Sequence, residues 1–191
     1  EDIEVYQGYE DGTAKPDQAI TRAEFAAVVV RMLDKENVAE SVASYETSFT
    51  DDAAIADWAR GYVIVASSLE IINGYPDGSF KPDNNVTFAE ACAMLTRALD
   101  LDEAATGVWP TKWLVLASDV GLTDDVDAAG NLPITRGEMA QMTFNGVLSE
   151  WQWDEDDGLT EDATSLLEDN WDDEYEEVDE EDVTGLYEEF L

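Results

Sequence analysis

Histidine is absent from the 191-residue sequence, and cysteine occurs once, as Cys92. The lack of histidine removes the commonest general base and the commonest transition-metal ligand. A single cysteine can form neither an internal disulfide nor a cysteine-cluster zinc site. Because Cys92 lies between two alanines of a predicted helix, we expect it to pack as a small hydrophobic residue.

Long apolar runs are missing as well. No run approaches the roughly 18–20 residues that span a bilayer, so no membrane insertion is expected. The first residues also lack the basic and then hydrophobic stretch of a signal peptide. Two interpretations stay open here: the protein is not exported, or the chain begins after processing.

Signatures of catalysis are equally scarce. The sequence contains no phosphate-binding loop and no nucleophile elbow. A glycosidase would need two carboxylates, but among 46 acidic residues such pairs arise everywhere and carry no signal. We therefore expect a protein that is not an enzyme and that needs no cofactor.

Basic residues are few, and their distribution is uneven. Residues 1–149 hold all nine Lys and Arg together with 26 acids, a net charge of −17, whereas residues 150–191 hold 20 acids and no base. A total charge of −37 repels nucleic acid and anionic membranes, which require clustered Lys and Arg. The same charge attracts divalent cations and polyamines, and it also suits solubility in a saline or alkaline medium.

What the sequence does contain is an internal repeat. Residues 8–25, GYEDGTAKPDQAITRAEF, align without gaps to residues 74–91, GYPDGSFKPDNNVTFAEA, with ten identities. A third copy keeps only its end, AGNLPITRGEM at 129–139. Copies of this kind cannot bury their apolar faces alone and must pack together.

Each copy enters a helix with apolar residues at i, i+3, i+4 and i+7, and a second amphipathic helix precedes the turn in copies two and three. The two preceding helices are predicted to end at the Asn73-Gly74 signal and at Gly121. We predict a mainly α fold over residues 1–149, with three helix-loop-helix repeats in a pseudo-three-fold bundle. The repeats cover 1–37 (a half repeat), 49–101 and 108–149.

The motif Thr-x-x-Glu before each helix is typical of a capping box. In this box the threonine hydroxyl accepts from the N3 amide, while the glutamate accepts from the N-cap amide. The pattern therefore predicts three helix starts, with the pairs Thr21 and Glu24, Thr87 and Glu90, and Thr135 and Glu138.

The residue after each threonine has no capping duty, and it is Arg22, Phe88 and Arg136 in the three copies. An exposed arginine beside free helix N-terminal amides would make an anion site. A solvated arginine paired with a nearby acid is the alternative. In the loop GYPDGSFKP, Tyr75 and Lys81 place an aromatic surface beside a charge, which suits a sugar ring, although packing in the core is the commoner outcome.

Residues 49–99 resemble a complete S-layer homology repeat. The resemblance lies in Phe-x-Asp, Trp58-Ala59, Gly-Tyr-Pro-Asp-Gly at 74–78, Phe-Lys-Pro at 80–82 and the Thr-x-Ala-Glu helix start. Residues 8–33 are similar to the second half of another repeat, and 108–148 to a degenerate third. Such families place three repeats in a pseudo-three-fold helical domain.

The resemblance also implies a function. It implies non-covalent binding of a secondary cell-wall polysaccharide, often pyruvylated, in grooves between repeats, by a protein at the cell surface or in the wall. It nominates Arg22, Arg136, Asp11, Gly12, Asp77 and Gly78, with Tyr75 and Lys81 beside them. Copy two has Phe88 in place of the arginine, and copy three lacks the Asp-Gly turn. Polyamine-bearing peptidoglycan is the alternative ligand for such an acidic protein.

The acidic segment 150–191 keeps six aromatic residues, more than a disordered tail would carry, so we expect it to be partly helical. Residues 154–158 lack the spacing of an EF-hand loop, and residues 125–136 have Ala129 and Arg136 at loop positions five and twelve, so no metal site is assigned. Weak calcium binding by carboxylate clusters stays open. The alternative function is a self-assembling surface-layer or filament subunit. In that case a neighbouring subunit would complete the half repeat, and the protein would form homo-oligomers.

Overall fold

The structure is a computed structural model that describes residues 12–149. Asp11, the first residues of the half repeat and the acidic segment 150–191 lie outside the described residues. The described part is mainly helical, without a strand, as the sequence predicts. Its helices are α1 (Arg22–Met32), α2 (Glu36–Val42), α3 (Asp57–Ser68), α4 (Phe88–Ala98), α5 (Thr111–Asp119) and α6 (Arg136–Ser149), with 3-10 turns at Asp52–Ala54 and Asp102–Ala104.

The three capping boxes are confirmed. Thr21 and Thr87 each accept from the N3 amide while the glutamate three residues later accepts from the threonine amide. At the third helix start, the Thr135 amide donates to Glu138 at 2.6 Å and the Glu138 amide donates to the Thr135 hydroxyl at 3.1 Å. Helices α1, α4 and α6 therefore begin one residue after their threonines.

A closed ring of three backbone hydrogen bonds joins the three copies just before these helices. The Ile20 amide donates to Ile134 O at 3.1 Å, the Ile134 amide to Val86 O at 2.9 Å, and the Val86 amide to Ile20 O at 3.0 Å. All three side chains are fully buried. Each copy donates once and accepts once, so this ring is the pseudo-three-fold axis that the repeats predict.

The ring continues into the first turn of each helix. The N1 and N2 amides of α1 donate to Asn84 O and Pro82 O of the copy-two loop. In the same way α4 donates to the copy-three loop, and α6 donates to the copy-one loop, at Gln18 O and Pro16 O. With the capping boxes, all four N-terminal amides that a helix leaves unpaired are satisfied. The sequence-based expectation of free amides was therefore wrong.

Helices pack mainly across copies. Helix α3, the first helix of copy two, packs on α1, the second helix of copy one, and α5 of copy three packs on α4 of copy two. In both pairs of helices, an arginine guanidinium lies over an aromatic ring. The guanidinium of Arg31 lies 4.9 Å from the Tyr62 ring centre, and that of Arg97 lies 4.7 Å from the Trp113 ring centre. Each copy thus depends on its neighbour for burial.

Helix α2 was not predicted from the sequence. It packs on α3 so closely that a Cβ on Gly61 would lie 2.0 Å from the carbonyl oxygen of Ala39. Arg31 holds its start, donating to Glu36 at 2.9 Å and to the Tyr62 hydroxyl at 2.8 Å. The Tyr62 hydroxyl also donates to Glu36, and this bond is the main cause that lowers the pKa of the Glu36 carboxyl.

Helix α3, the first helix of copy two, differs from the sequence-based prediction in two ways. Helix α3 ends at Ser68 rather than at Gly74, because Glu70 takes a left-handed φ of +58° that ends the helix. Trp58 and Leu69 match the apolar spacing of this helix in the sequence, yet 55% of the surface of Trp58 is exposed, and Leu69 is exposed as well. In contrast, Gly121 follows the C-cap of α5 with a φ of +75°, as predicted.

Cys92 behaves as predicted. Its side chain is fully buried in the core, and desolvation raises the pKa of its thiol to about 12. A thiol with that pKa carries almost no thiolate at neutral pH and is unreactive.

The buried ring predicts a large difference between two aliphatic truncations. Ile20→Ala should lower the free energy of unfolding by about 2–5 kcal/mol, because it opens a cavity at the axis. Leu132→Ala, at a mostly exposed side chain, should stay within about 0.5 kcal/mol of wild type. Urea unfolding of both variants at one fixed salt concentration measures this, and similar losses at the two positions would contradict the central role of the ring.

Candidate binding grooves between the copies

Arg22 projects from the first turn of α1 onto the loop of copy two. Its Nε donates to Phe80 O at 2.8 Å, and its Nη2 donates to Asn73 O at 3.1 Å. The guanidinium lies 4.7 Å from the Tyr75 ring centre. We call this interface groove A and define it by Arg22, Tyr75, Asp77, Lys81 and Glu90.

The arginine of groove A is not the exposed residue that the sequence suggested. Only 4% of Arg22 is exposed, because the rings of Tyr75 and Phe80 cover its guanidinium. Its charge is balanced by Glu90, whose Oε1 lies 3.7 Å from the arginine Nη1. Burial of an arginine is tolerable only with such a partner and with satisfied donors.

Glu90 has two roles, and only its role in the capping box was predicted from the sequence. Its Oε2 accepts from the amide and the hydroxyl of Thr87 and so completes the capping box. Its Oε1 faces Arg22 and accepts from the Tyr75 hydroxyl at 3.2 Å. One carboxylate therefore links the start of α4, the loop of its own copy and the arginine of the preceding copy.

The outer wall of groove A carries a more accessible cation. The Lys81 ammonium lies 4.1 Å from the Tyr75 ring centre and 3.5 Å from Asp77 Oδ2. Lysine and arginine thus both lie over the Tyr75 ring. The side chains of Lys81 and Asp77 are 38% and 61% exposed.

Two further residues shape the loop of groove A. Asp51 accepts from the Phe80 and Lys81 amides at 2.7 and 2.8 Å, which explains the aspartate of the Phe-x-Asp motif. Phe49 of that motif lies so close to Gly74 that a Cβ there would be 2.7 Å from its ring. The Phe-x-Asp motif contains Asp51, but sequence spacing does not show that it accepts from the amide of Phe80, 29 residues away.

The predicted Asp-Gly turn is present in groove A. Gly78 has a φ of +78°, a left-handed conformation that favours glycine, and its amide donates to Tyr75 O at 2.8 Å. Asp77 accepts from the Ser79 hydroxyl and amide, and these two bonds hold the pKa of its carboxyl below the ordinary value. Asp77 therefore stays ionised at neutral pH.

An equivalent groove B joins copy three to copy one. Arg136 Nε donates to Ala14 O at 2.9 Å, and its Nη1 lies 3.4 Å from Glu24 Oε1. Gly12 repeats the left-handed turn with a φ of +77°, and Lys15 repeats the backbone of Lys81 with a φ of +49° against +58°. Sequence reasoning did not nominate Lys15, although its alignment with Lys81 was the available signal. Asp11 belongs to the same loop but lies outside the described residues.

The third interface, groove C, joins copy two to copy three and lacks these cations. Phe88 occupies the arginine position and is mostly buried. The Ala89 amide donates to Gly130 O, as the Ala23 amide does to Pro82 O, so Ala129 corresponds to Lys81. Groove C therefore has neither the arginine nor the lysine.

Pairing across copies corrects the assignment made from the sequence. That assignment combined each arginine with the turn of its own copy, which left copies two and three incomplete. In the structure, Arg22 of copy one meets the complete loop of copy two, and Arg136 of copy three meets the loop of copy one. Both cations are thus present in grooves A and B and both are missing from groove C.

The described residues contain neither a metal-binding cluster nor a membrane-spanning helix. Within residues 12–149, no three His, Cys, Asp or Glu side chains are grouped to hold a metal ion. Residues 125–136, which have the wrong residues for an EF-hand, are included in this statement. The helices in this part of the chain are too short or too polar to cross a membrane.

Comparisons with known proteins find relatives on bacterial surfaces. A family described as the S-layer homology domain matches residues 4–26 and 48–92. A "Middle cell wall protein" of Brevibacillus brevis is 40% identical over 147 residues, 77% of this chain and 14% of that protein. A "Surface layer protein" of Brevibacillus choshinensis is 40% identical over 127 residues, which are 66% of this chain and 11% of that protein. A "Cellulosome-anchoring protein" of Acetivibrio thermocellus is 36% identical over 96 residues, 50% of this chain and 21% of that protein. The chain thus spans about a fifth or less of each of these relatives.

The anchoring of the groove A loop predicts a specific sensitivity at Asp51. Asp51→Asn leaves one of two loop amides facing an NH2 group, so the free energy of unfolding should fall by about 1–3 kcal/mol. The control Asp57→Asn, at a fully exposed carboxylate, should change it by less than about 0.5 kcal/mol. Urea unfolding at pH 7 tests both, and equal effects would show that Asp51 is not a loop anchor.

Proposed function

The chain belongs to the S-layer homology domain family, and from that premise we propose that it attaches its protein non-covalently to a cell-wall polymer at the cell surface. The attachment is a binding function without catalysis. Grooves A and B hold an anionic group of the polymer, and groove C does not. The relatives named for the cell wall, the surface layer and anchoring are consistent with this role.

The observation that carries the proposal is the distribution of the basic residues. Only nine Lys and Arg occur in a chain of net charge −37, and four of them, Arg22, Lys81, Arg136 and Lys15, lie at grooves A and B. Groove A thus combines two cations, each beside a carboxylate, and groove B repeats the arginine and the backbone position of the lysine, whereas groove C has Phe88 and Ala129 at these two positions.

Long-range repulsion does not defeat such a site. Charges separated by more than the Debye length, about 8 Å at physiological ionic strength, are largely screened. A polymer anion in direct contact with a groove cation is separated by much less than this distance. The acidic surface therefore slows encounter more than it weakens the bound state.

Binding to purified wall sacculi tests the proposal. We expect the protein to sediment with untreated sacculi, and to lose most of that binding after mild acid removes pyruvyl ketal groups. Sacculi stripped of polyamines instead of pyruvyl groups should bind as before. Binding that depends on polyamines would show that the ligand is polyamine-bearing peptidoglycan rather than a pyruvylated polymer. A protein that sediments with none of the preparations would contradict attachment.

Self-assembly into a surface layer is a second candidate, favoured by an apolar surface on copy three. Val108 and Trp109 precede α5 and Val115 lies in its middle, and 75%, 56% and 52% of their surfaces are exposed. Exposed apolar surface of this kind is typical of contacts between proteins.

Light scattering over a range of salt and calcium concentrations tests this second candidate. Assembly predicts a mass that rises with protein concentration and that Trp109→Ser reduces, while Leu132→Ser, also exposed, leaves it unchanged. A monomer under all conditions would contradict it.

A further inference from the structure

We propose that the Asn73-Gly74 pair is a site of spontaneous covalent modification, at which Asn73 loses ammonia and becomes aspartate or isoaspartate. The pair lies in the loop of copy two, where the Asn73 carbonyl accepts from Arg22. The sequence contains one other Asn-Gly pair, Asn145-Gly146 in α6, and the fold protects that pair from the same reaction.

The reaction joins the asparagine side chain to the backbone amide that follows it. After losing its proton to hydroxide, the Gly74 nitrogen attacks the carboxamide carbon of Asn73. The new carbon–nitrogen bond forms as the bond to the side-chain nitrogen breaks, and that nitrogen leaves as ammonia with a proton from water. Water then opens the resulting succinimide at one carbonyl to give aspartate, or at the other to give isoaspartate. A following glycine favours ring closure because it carries no Cβ.

Asn73 and Gly74 have the freedom that this ring closure needs. Both residues are exposed, and they lie in a loop outside any helix. Within residues 12–149, no hydrogen bond holds the Asn73 carboxamide or the Gly74 amide. An exposed side chain changes rotamer within nanoseconds, so the carboxamide repeatedly reaches the position in which the nitrogen can attack it.

Asn145 and Gly146 are the same two residues in a different setting. The Asn145 carboxamide is held on both sides, because its Nδ2 donates to Asp124 O at 2.8 Å and its Oδ1 accepts from Gln141 at 2.8 Å. Gly146 is buried, and its amide belongs to the hydrogen-bonded backbone of α6. Ring closure at this pair therefore requires local opening of the helix.

Packing requires the glycine of the reactive pair but not the asparagine. A Cβ on Gly74 would lie 2.7 Å from the Phe49 ring and 3.0 Å from Ser79 O. The preceding position is less restricted, since Gln7 stands there in the aligned sequence of copy one. Glutamine reacts much more slowly because it must close a six-membered ring. Asn73→Gln is therefore a conservative change that removes the site.

The isoaspartate product alters the contact with Arg22. In this product the main chain runs through the former side chain, which adds one methylene group to the backbone. The carbon of the carbonyl that accepts from Arg22 Nη2 at 3.1 Å then becomes a free carboxylate. The longer backbone must fit between Ile72 and Ser79, which are both buried. Isoaspartate therefore weakens the packing of this loop, whereas aspartate keeps the original backbone.

Peptide mapping by mass spectrometry tests the site. The full chain is incubated in mildly alkaline buffer, and the peptides that contain the two pairs are followed with time. The Asn73 peptide should exchange NH2 for OH at least about tenfold faster than the Asn145 peptide, because α6 must first open. In urea the two rates should become similar, and Asn73→Gln should remove the fast reaction. Equal rates in the folded protein would overturn the proposal, as would an Asn73 that reacts in urea but stays intact in the fold.

The structural effect has its own matched control, Asn73→Asp, which has the charge of the product without the longer backbone. The isoaspartate form is separated by chromatography and identified by labelling with an isoaspartyl methyltransferase. It should unfold at a lower urea concentration than the wild type, while Asn73→Asp should unfold close to the wild type. An isoaspartate form as stable as Asn73→Asp would overturn the effect assigned to the loop.

Discussion

The closed ring of backbone hydrogen bonds among Ile20, Val86 and Ile134 is the constraint on which the rest of the structure depends. Each bond uses main-chain atoms, so it tolerates the sequence divergence of copy three. Because the site is buried, opening the ring would leave an amide without a partner, at a cost of about 1–3 kcal/mol for each group. The three copies are therefore held in one arrangement even though their loops differ.

The ring also decides which parts of the copies meet. The amides that follow it donate to the loop of the neighbouring copy, which brings each N1 side chain onto that loop. Each groove is consequently formed at the interface between two copies rather than within a single repeat. Arg22 and Lys81 are 59 positions apart in the sequence yet lie over the same tyrosine ring.

Local features of this protein could be predicted from its sequence, and non-local ones could not. The capping boxes depend on residues three positions apart, so Thr87 and Glu90 could be assigned correctly from spacing alone. The burial of Arg22 depends on rings that arrive from another copy, and no pattern within one copy contains that information. Trp58 fits the apolar periodicity of its helix, but periodicity does not show where a neighbouring element ends.

The contrast between grooves A and C shows how a repeat can lose both cations of its groove and keep its fold. Phe88 at the arginine position removes a buried charge and, with it, the need for a paired carboxylate. An apolar contact takes the place of the buried ion pair at little cost in stability. The Ala89 amide still donates to the neighbouring loop, because that bond involves only the backbone. Copy three could therefore lose the lysine and the tyrosine of its loop without opening the ring.

The acidic composition and the cations of the grooves are compatible because their effects act over different distances. Arg22 is balanced by Glu90 within the protein, so it contributes little field beyond the groove. Salt shortens the range of the remaining charges, while an ion pair in direct contact with partly buried groups is screened much less. Rising ionic strength thus weakens the repulsion between the acidic surface and an anionic polymer more than it weakens the contact itself. A large negative charge is for that reason no obstacle to anion binding in a saline medium, provided that the few cations stand where the ligand touches.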